Sequence, residues 1–224
     1  MSEARAPFVF VGCHELRENL GWRAHDAREL LDGLEQVPVG AVFHHVYGYF
    51  LRHRFYAGPY ANDFASWAAV QLRDRVLGER LAVLDPFEFA DLALLREELM
   101  SIIDDHLTHL PVVPRLVYGE PFYFVQSHIV EIATDQRART LAEFRQHLGE
   151  IDASTVYYHM VEARVRLGRR SGDFAEWLRA SLGRPDLAEQ VERIDLYFLS
   201  LERVRARILG LLDVALDDEA ATPR

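Results

Sequence analysis

The sequence predicts an all-α, mainly helical protein with at most a short strand pair, built as two pseudo-twofold-related repeats of about five helices. Three observations predict this class. Val42-Phe43-His44-His45 followed by Asn62-Asp63-Phe64-Ala65-Ser66-Trp67 returns as Val156-Tyr157-Tyr158-His159 followed by Gly172-Asp173-Phe174-Ala175-Glu176-Trp177. The offset between the copies is 114 from Phe8 to Arg52, matching Phe8, Phe10, His14, His45 and Arg52 with Phe122, Phe124, His128, His159 and Arg166. It falls to 110 beyond, where Asp63, Trp67 and Leu77 match Asp173, Trp177 and Leu187. Finally, Leu92, Leu95, Leu99, Ile102 and Ile103 have the period of one buried helical face, and Leu201, Val204, Ile208, Leu211 and Leu212 repeat it.

Taken in order, each half opens with an apolar alternation, Phe8 to Val11 and Phe122 to Val125, read as short extended pieces that pair with one another. Asp26 with Glu29, and Thr140 with Glu143, have the spacing of a capping box and start the first helix of each half. Pro38 suits the first turn of the second helix, and Asp152 or Ser154 caps its counterpart; these helices run to about Arg54 and Leu167. Asp63 and Asp173 stand at the N-cap of a third helix, anchored by Phe and Trp three residues apart on one face. The fourth helix carries Leu77, Leu81 and Leu84, echoed by Leu187, Val191 and Ile194, and Asp91 and Ser200 cap the fifth. The resulting division is a tail 1–7, repeat 1 over 8–107, an ordered linker 108–120, repeat 2 over 121–215, and a frayed, disordered tail 216–224.

Composition narrows the function. A formal charge of −10 disfavours nucleic acid and an anionic membrane surface, both of which need a basic footprint. No apolar run approaches the roughly 20 residues that cross a bilayer. Met1 to Pro7 lacks the regions of a signal peptide, and the single cysteine, Cys13, forms no internal disulfide, so a cytoplasmic protein is expected. Every basic residue is an arginine, which excludes a phosphate-loop lysine and a Schiff-base lysine.

The repeated polar residues are the candidates for chemistry, because packing alone explains apolar repetition. His14, His45, His128 and His159 would supply four nitrogens to zinc or iron if they met on the repeat axis. The preferred reading is structural: in each half one histidine bridges the extended segment and another bonds the Asp63 or Asp173 region, so no metal or cofactor is expected. His45 and His53 lie about 12 Å apart along a helix, too far to share an ion. Asp104, Asp105, His106 and His109 cluster at a helix end, where the dipole favours cationic groups and a solvated role suffices. Cys13 with His14 or His44 as base is a weak nucleophile pair, and a buried apolar cysteine is favoured over it.

The Cys13-His14-Glu15-Leu16-Arg17-Glu18 run, the His44-His45 helix, the Asn62-Asp63-Phe64-Ala65-x-Trp67 turn and their weaker second copies resemble an uncharacterised bacterial family, the domain of unknown function numbered 5752. The resemblance spans about Phe8 to Leu212 and implies an internally duplicated helical domain; it implies no activity. The reading for function is a protein-binding or regulatory module, with a protein partner or a homodimer. The alternative is a small enzyme or a protein binding a small polar molecule or metal. Its pocket would lie where the repeats meet, lined by His14, Glu15, Arg17, His44, His45 and Asp63, with His128, His159 and Asp173 as counterparts.

Overall fold

The computed structural model describes residues 3–115, 119–169 and 171–221. Two strands, β1 (Phe8–Ala24) and β2 (Phe122–Ala138), form a two-stranded sheet. They run antiparallel: the Phe10 carbonyl accepts from the Thr134 hydroxyl, Gly12 lies against Ile132, and Glu18 accepts from Gln126 at 2.6 Å. Each strand is 17 residues long, which corrects the expected short pair. Apolar alternation marks only the buried starts, because the later strand residues mix polar with apolar side chains and are mostly exposed or half-buried while the backbone ladder continues. Nor do the two apolar starts pair with each other. Strands that pair antiparallel along most of their length put Phe10 beside Thr134 instead.

Between the strands lie α1 (Ala27–Gln36), α2 (Gly40–Arg52), α3 (Asp63–Val70), α4 (Arg75–Ala82), a 3-10 turn at Pro86–Glu88 and α5 (Leu92–Thr108). After β2 come α6 (Leu141–Glu150), α7 (Ala153–Tyr157), a π-helical turn (Tyr158–Glu162), α8 (Ala163–Leu167), α9 (Asp173–Ala180), α10 (Pro185–Glu192) and α11 (Leu201–Ala221). With α7, the π turn and α8 taken as one interrupted helix, the described residues hold ten helices, and the protein is mostly helical. The capping box at Thr140 and Glu143 is complete, whereas at Asp26 the Glu29 carboxylate turns to the His25 amide.

The contacts define two compact units. The α1–α5 unit comprises Glu15–Arg52 and Ala57–Ile129; the α6–α11 unit comprises Met1–His14, His53–Tyr56 and Val130–Arg224. Each therefore includes a piece of both strands. In the α1–α5 unit, Phe122 and Phe124 bury their rings against His45, Phe64 and Trp67. The indole of Trp67 donates to the Glu120 carbonyl at 2.9 Å. In the α6–α11 unit, Phe8 and Phe10 pack against Phe144, His159 and Phe174, and Trp177 donates to the Ala6 carbonyl at 2.8 Å.

Two further expectations change. The C-terminal stretch stays helical to Ala221, where an ion pair between Arg184 and Glu219 at 2.9 Å holds the last turns. His106 is buried instead of solvated: it meets the Asp74 carboxylate at 2.7 Å, while Asp74 also caps α4. His109 bonds the Asp105 carbonyl, so the two histidines face different partners. Among the described residues no helix is long and apolar enough to cross a membrane.

Candidate functional site

Five of the six first-half candidates meet in the α1–α5 unit, and the sixth does not. On α2, positions 44, 48 and 52 recur every fourth residue, and 45 joins them, so one helix face carries His44, His45, Gly48 and Arg52. Glu15 and Arg17, two apart on β1, share a strand face. His44 Nδ1 meets Glu15 Oε1 at 2.9 Å, Arg17 Nε donates to Glu15 Oε2 at 2.8 Å, and Arg52 Nη1 lies 3.4 Å from Glu15 Oε1. Arg52 Nη2 donates a short bond to Asp63 Oδ2, which His45 Nδ1 also meets at 2.9 Å. His14 belongs to the α6–α11 unit and is exposed on its strand, as His128 is on the other.

Gly48 makes the arrangement possible. A methyl group there would lie 2.7 Å from Glu15 Oε1 and 2.8 Å from Arg52 Nη1, closer than any real contact. Asp63 was expected to cap α3, but Asn62 does so, accepting from the Ala65 amide at 2.8 Å. The cap is thus satisfied one residue earlier. Asp63, in the first turn, is left to bond His45 and Arg52.

Electrostatics follow from these contacts. Burial pushes the Glu15 carboxyl upward, yet the bonds from His44 and Arg17 and the charge of Arg52 outweigh it. Its pKa falls from an ordinary 4.5 to about 2. Glu15 is therefore ionised and only accepts, so His44 carries its proton on Nδ1. For Asp63 burial also acts upward, and His45 and Arg52 again hold the carboxyl low.

His45 is fixed more tightly still. The Val125 amide donates to its Nε2 at 3.1 Å, so that nitrogen is bare and Nδ1–H donates to Asp63. Burial lowers its pKa and keeps the ring neutral. His159 repeats the pattern: Val11 N–H donates to Nε2 at 2.9 Å, Nδ1–H meets Asp173 at 2.9 Å, and burial lowers its pKa. One histidine thus performs both tasks that the sequence reading shared between two. The capping correction recurs here as well, with Gly172 at the N-cap and Asp173 inside the helix. A side chain at 172 would strike the His159 carbonyl at 2.7 Å.

These bonds decide what the site can hold. His44, His45 and Asp63 place ligand-type atoms within 4.8 Å of one another. A metal on His45 Nδ1 would force the proton onto Nε2, against the Val125 N–H, and Arg52 already holds Asp63 Oδ2, the oxygen nearest that nitrogen. The cluster fits an internal ion-pair network better than a metal. In the four-histidine set, His45 and His159 have both ring nitrogens engaged, which leaves no lone pair to offer. Cys13 is buried, with Sγ 3.4 Å from the Ser154 carbonyl. Sequence reasoning left Arg52 and Gly48 out of the site. Arg52 was legible as one of the repeated charges, matched by Arg166; Gly48 gave no signal, because only the strand carboxylate explains it.

A cavity of about 300 Å³ adjoins the network, lined by His45, Asp63, Ser66, Trp67, Val70, Gln71, Pro121, Phe122 and Tyr123. In the α6–α11 unit the positions beside the histidine differ. Tyr158 donates to Glu131, and Arg166 reaches Glu162 at 3.0 Å and Asp173 at 3.2 Å while lying over the Tyr158 ring. Burial raises both the Tyr158 and Glu162 pKa values.

Comparison with known proteins adds a relative without adding an activity. The chain is 28% identical to OrfY from Thermoproteus tenax, covering 96% of this chain and 97% of that one with a TM-score of 0.79. No curated protein matches the chain. A model for a family of unknown function, DUF5752, matches residues 5–213, and the chain belongs to that family.

Proposed function

We propose that this protein is a non-catalytic protein-binding or regulatory module of the cytoplasm, made by duplication of one helical unit whose copies diverged in their polar residues. The observation that carries this reading is the engagement of both ring nitrogens of His45 and of His159. These rings pin a strand amide to a helix-start carboxylate, and a general base with no lone pair to use is no base. Glu15, Arg17, His44 and Arg52 likewise satisfy one another. The matched offsets of 114 and 110 support the duplication.

The test combines affinity capture from host extract, using the full chain, with light scattering of the product. A protein bound at fixed stoichiometry, or a homodimer, is the expected result. A second reading, a small polar ligand, is favoured by the cavity beside His45 and Asp63. A thermal-shift screen with sugars, phosphates and metals separates the two. A compound that stabilises the chain by about 3 kcal/mol at a hundredfold excess over its Kd supports the second reading and contradicts the first.

A further inference from the structure

The cavity beside the network has a chemistry of its own. One wall is the outer face of α3, where Asp63, Ser66, Trp67 and Val70 recur at helical spacing; the other is Pro121–Tyr123 at the start of β2. Asp63 is bonded on one side only. His45 and Arg52 both reach Oδ2, and no hydrogen bond is donated to Oδ1 within the described residues, although 26% of the side chain is exposed. Trp67 and Phe122 are buried and fixed by packing, the Trp67 indole further by its bond to Glu120, while Tyr123 and Val70 are exposed at 45% and 58%. No arginine lines the cavity, and its one histidine, His45, is held neutral by burial.

We propose that this cavity receives an arginine side chain of a protein partner, its aliphatic stem along Val70 and Tyr123 and its guanidinium at Asp63 Oδ1 beside the aromatic rings. The inference rests on the binding-module reading and names the chemistry of the partner. A guanidinium is a planar donor without acceptors, and it pairs with carboxylates and stacks on aromatic faces, which an ammonium does less well. Asp63 Oδ1 and the Ser66 hydroxyl are the acceptors it needs. Charge complementarity points the same way. The α1–α5 unit has 17 acidic and 9 basic residues, a formal −8, against 18 and 16 in the other unit, a formal −2. The cavity therefore sits in the unit that attracts a basic partner most strongly.

The experiment titrates the full chain with N-acetyl-arginine methylamide and follows the indole N–H signals of Trp22, Trp67 and Trp177 by NMR. The expected result is a saturable shift of the Trp67 signal, weakened by salt. The isosteric, uncharged citrulline analogue should bind at least about tenfold more weakly, since it forms no charge-assisted bond. Asp63→Asn removes the charge but also disturbs His45 and Arg52, so Val70→Arg is the second variant. It lies on an exposed helix surface, leaves the network intact and should weaken arginine binding about tenfold by placing a cation at the mouth. Equal binding of citrulline, an unmoved Trp67 signal, or an indifferent Val70→Arg overturns the proposal. If Val70→Arg still captures the partner while Trp67 ignores arginine, the cavity assignment fails and the binding-module reading stands. If the wild-type chain captures no partner and forms no homodimer, that earlier reading fails.

Discussion

In the α1–α5 unit the residue before the strut histidine is His44, bonded to the buried carboxylate of Glu15; in the α6–α11 unit it is Tyr158, bonded to Glu131. Four residues further on, one unit has Gly48, leaving room for Glu15 and Arg52, and the other has Glu162, paired with Arg166. What the units share is the histidine, the aspartate at the next helix start, the arginine over that aspartate and the strand amide. The shared part ties a strand to helices. The difference lies in what surrounds it: a charged, tightly paired cluster in one unit, and a phenol with a half-buried carboxylate in the other. Shared polar residues therefore mark the scaffold here, and the differing ones mark where the two units differ in polar chemistry.

The comparison breaks most readily at the histidines. His45→Ala and His159→Ala each leave a strand amide without its acceptor, take one of two partners from the helix-start carboxylate and open a cavity among the aromatic rings, and each should cost about 3–5 kcal/mol in urea unfolding. A large loss in one unit and none in the other would end the claim of a shared device.

Glu15→Gln sharpens the contrast next. The depressed Glu15 pKa makes its contribution fully present above the ordinary carboxylate range, lost as pH falls from 4.5 toward 2. Roughly 3 kcal/mol at neutral pH corresponds to that shift. The variant should be less stable at pH 7 and lose less on acidification. Glu131→Gln replaces a partner of the neutral Tyr158 phenol and should cost only about 1 kcal/mol. Equal effects of the two glutamine variants on the pH dependence of urea unfolding would contradict the distinction.

Gly48→Ala has the smallest effect. Its methyl meets Glu15 and Arg52 at 2.7 and 2.8 Å, an overpacking cost of about 1–3 kcal/mol against a helix-propensity gain of about 1 kcal/mol. A net stabilisation would show that the network yields without strain.

Much of this was legible in the residues. The helix starts at Asp26, Asp91 and Thr140, the Phe-x-x-Trp anchors and the stripe along α5 follow from period and capping chemistry, which are local. Strand length was not, since the polar stretch from His14 to Arg23 has no alternation to show that a partner strand lies beside it. Glu15, His44, His45 and Asp63, grouped in the sequence only as the lining of the alternative pocket, form a paired network whose decisive members are a backbone amide, Val125 N–H, and a missing side chain, Gly48. Neither has a side-chain signature to read.

Long-range proton–nitrogen NMR correlation reads the ring state of the two histidines directly between about pH 5 and 8. His45 and His159 should both be neutral with the proton on Nδ1, and neither should titrate near the ordinary 6.5, because burial lowers both. An Nε2–H tautomer or a protonation step near 6.5 in either ring would contradict the strut and reopen the histidines to chemistry.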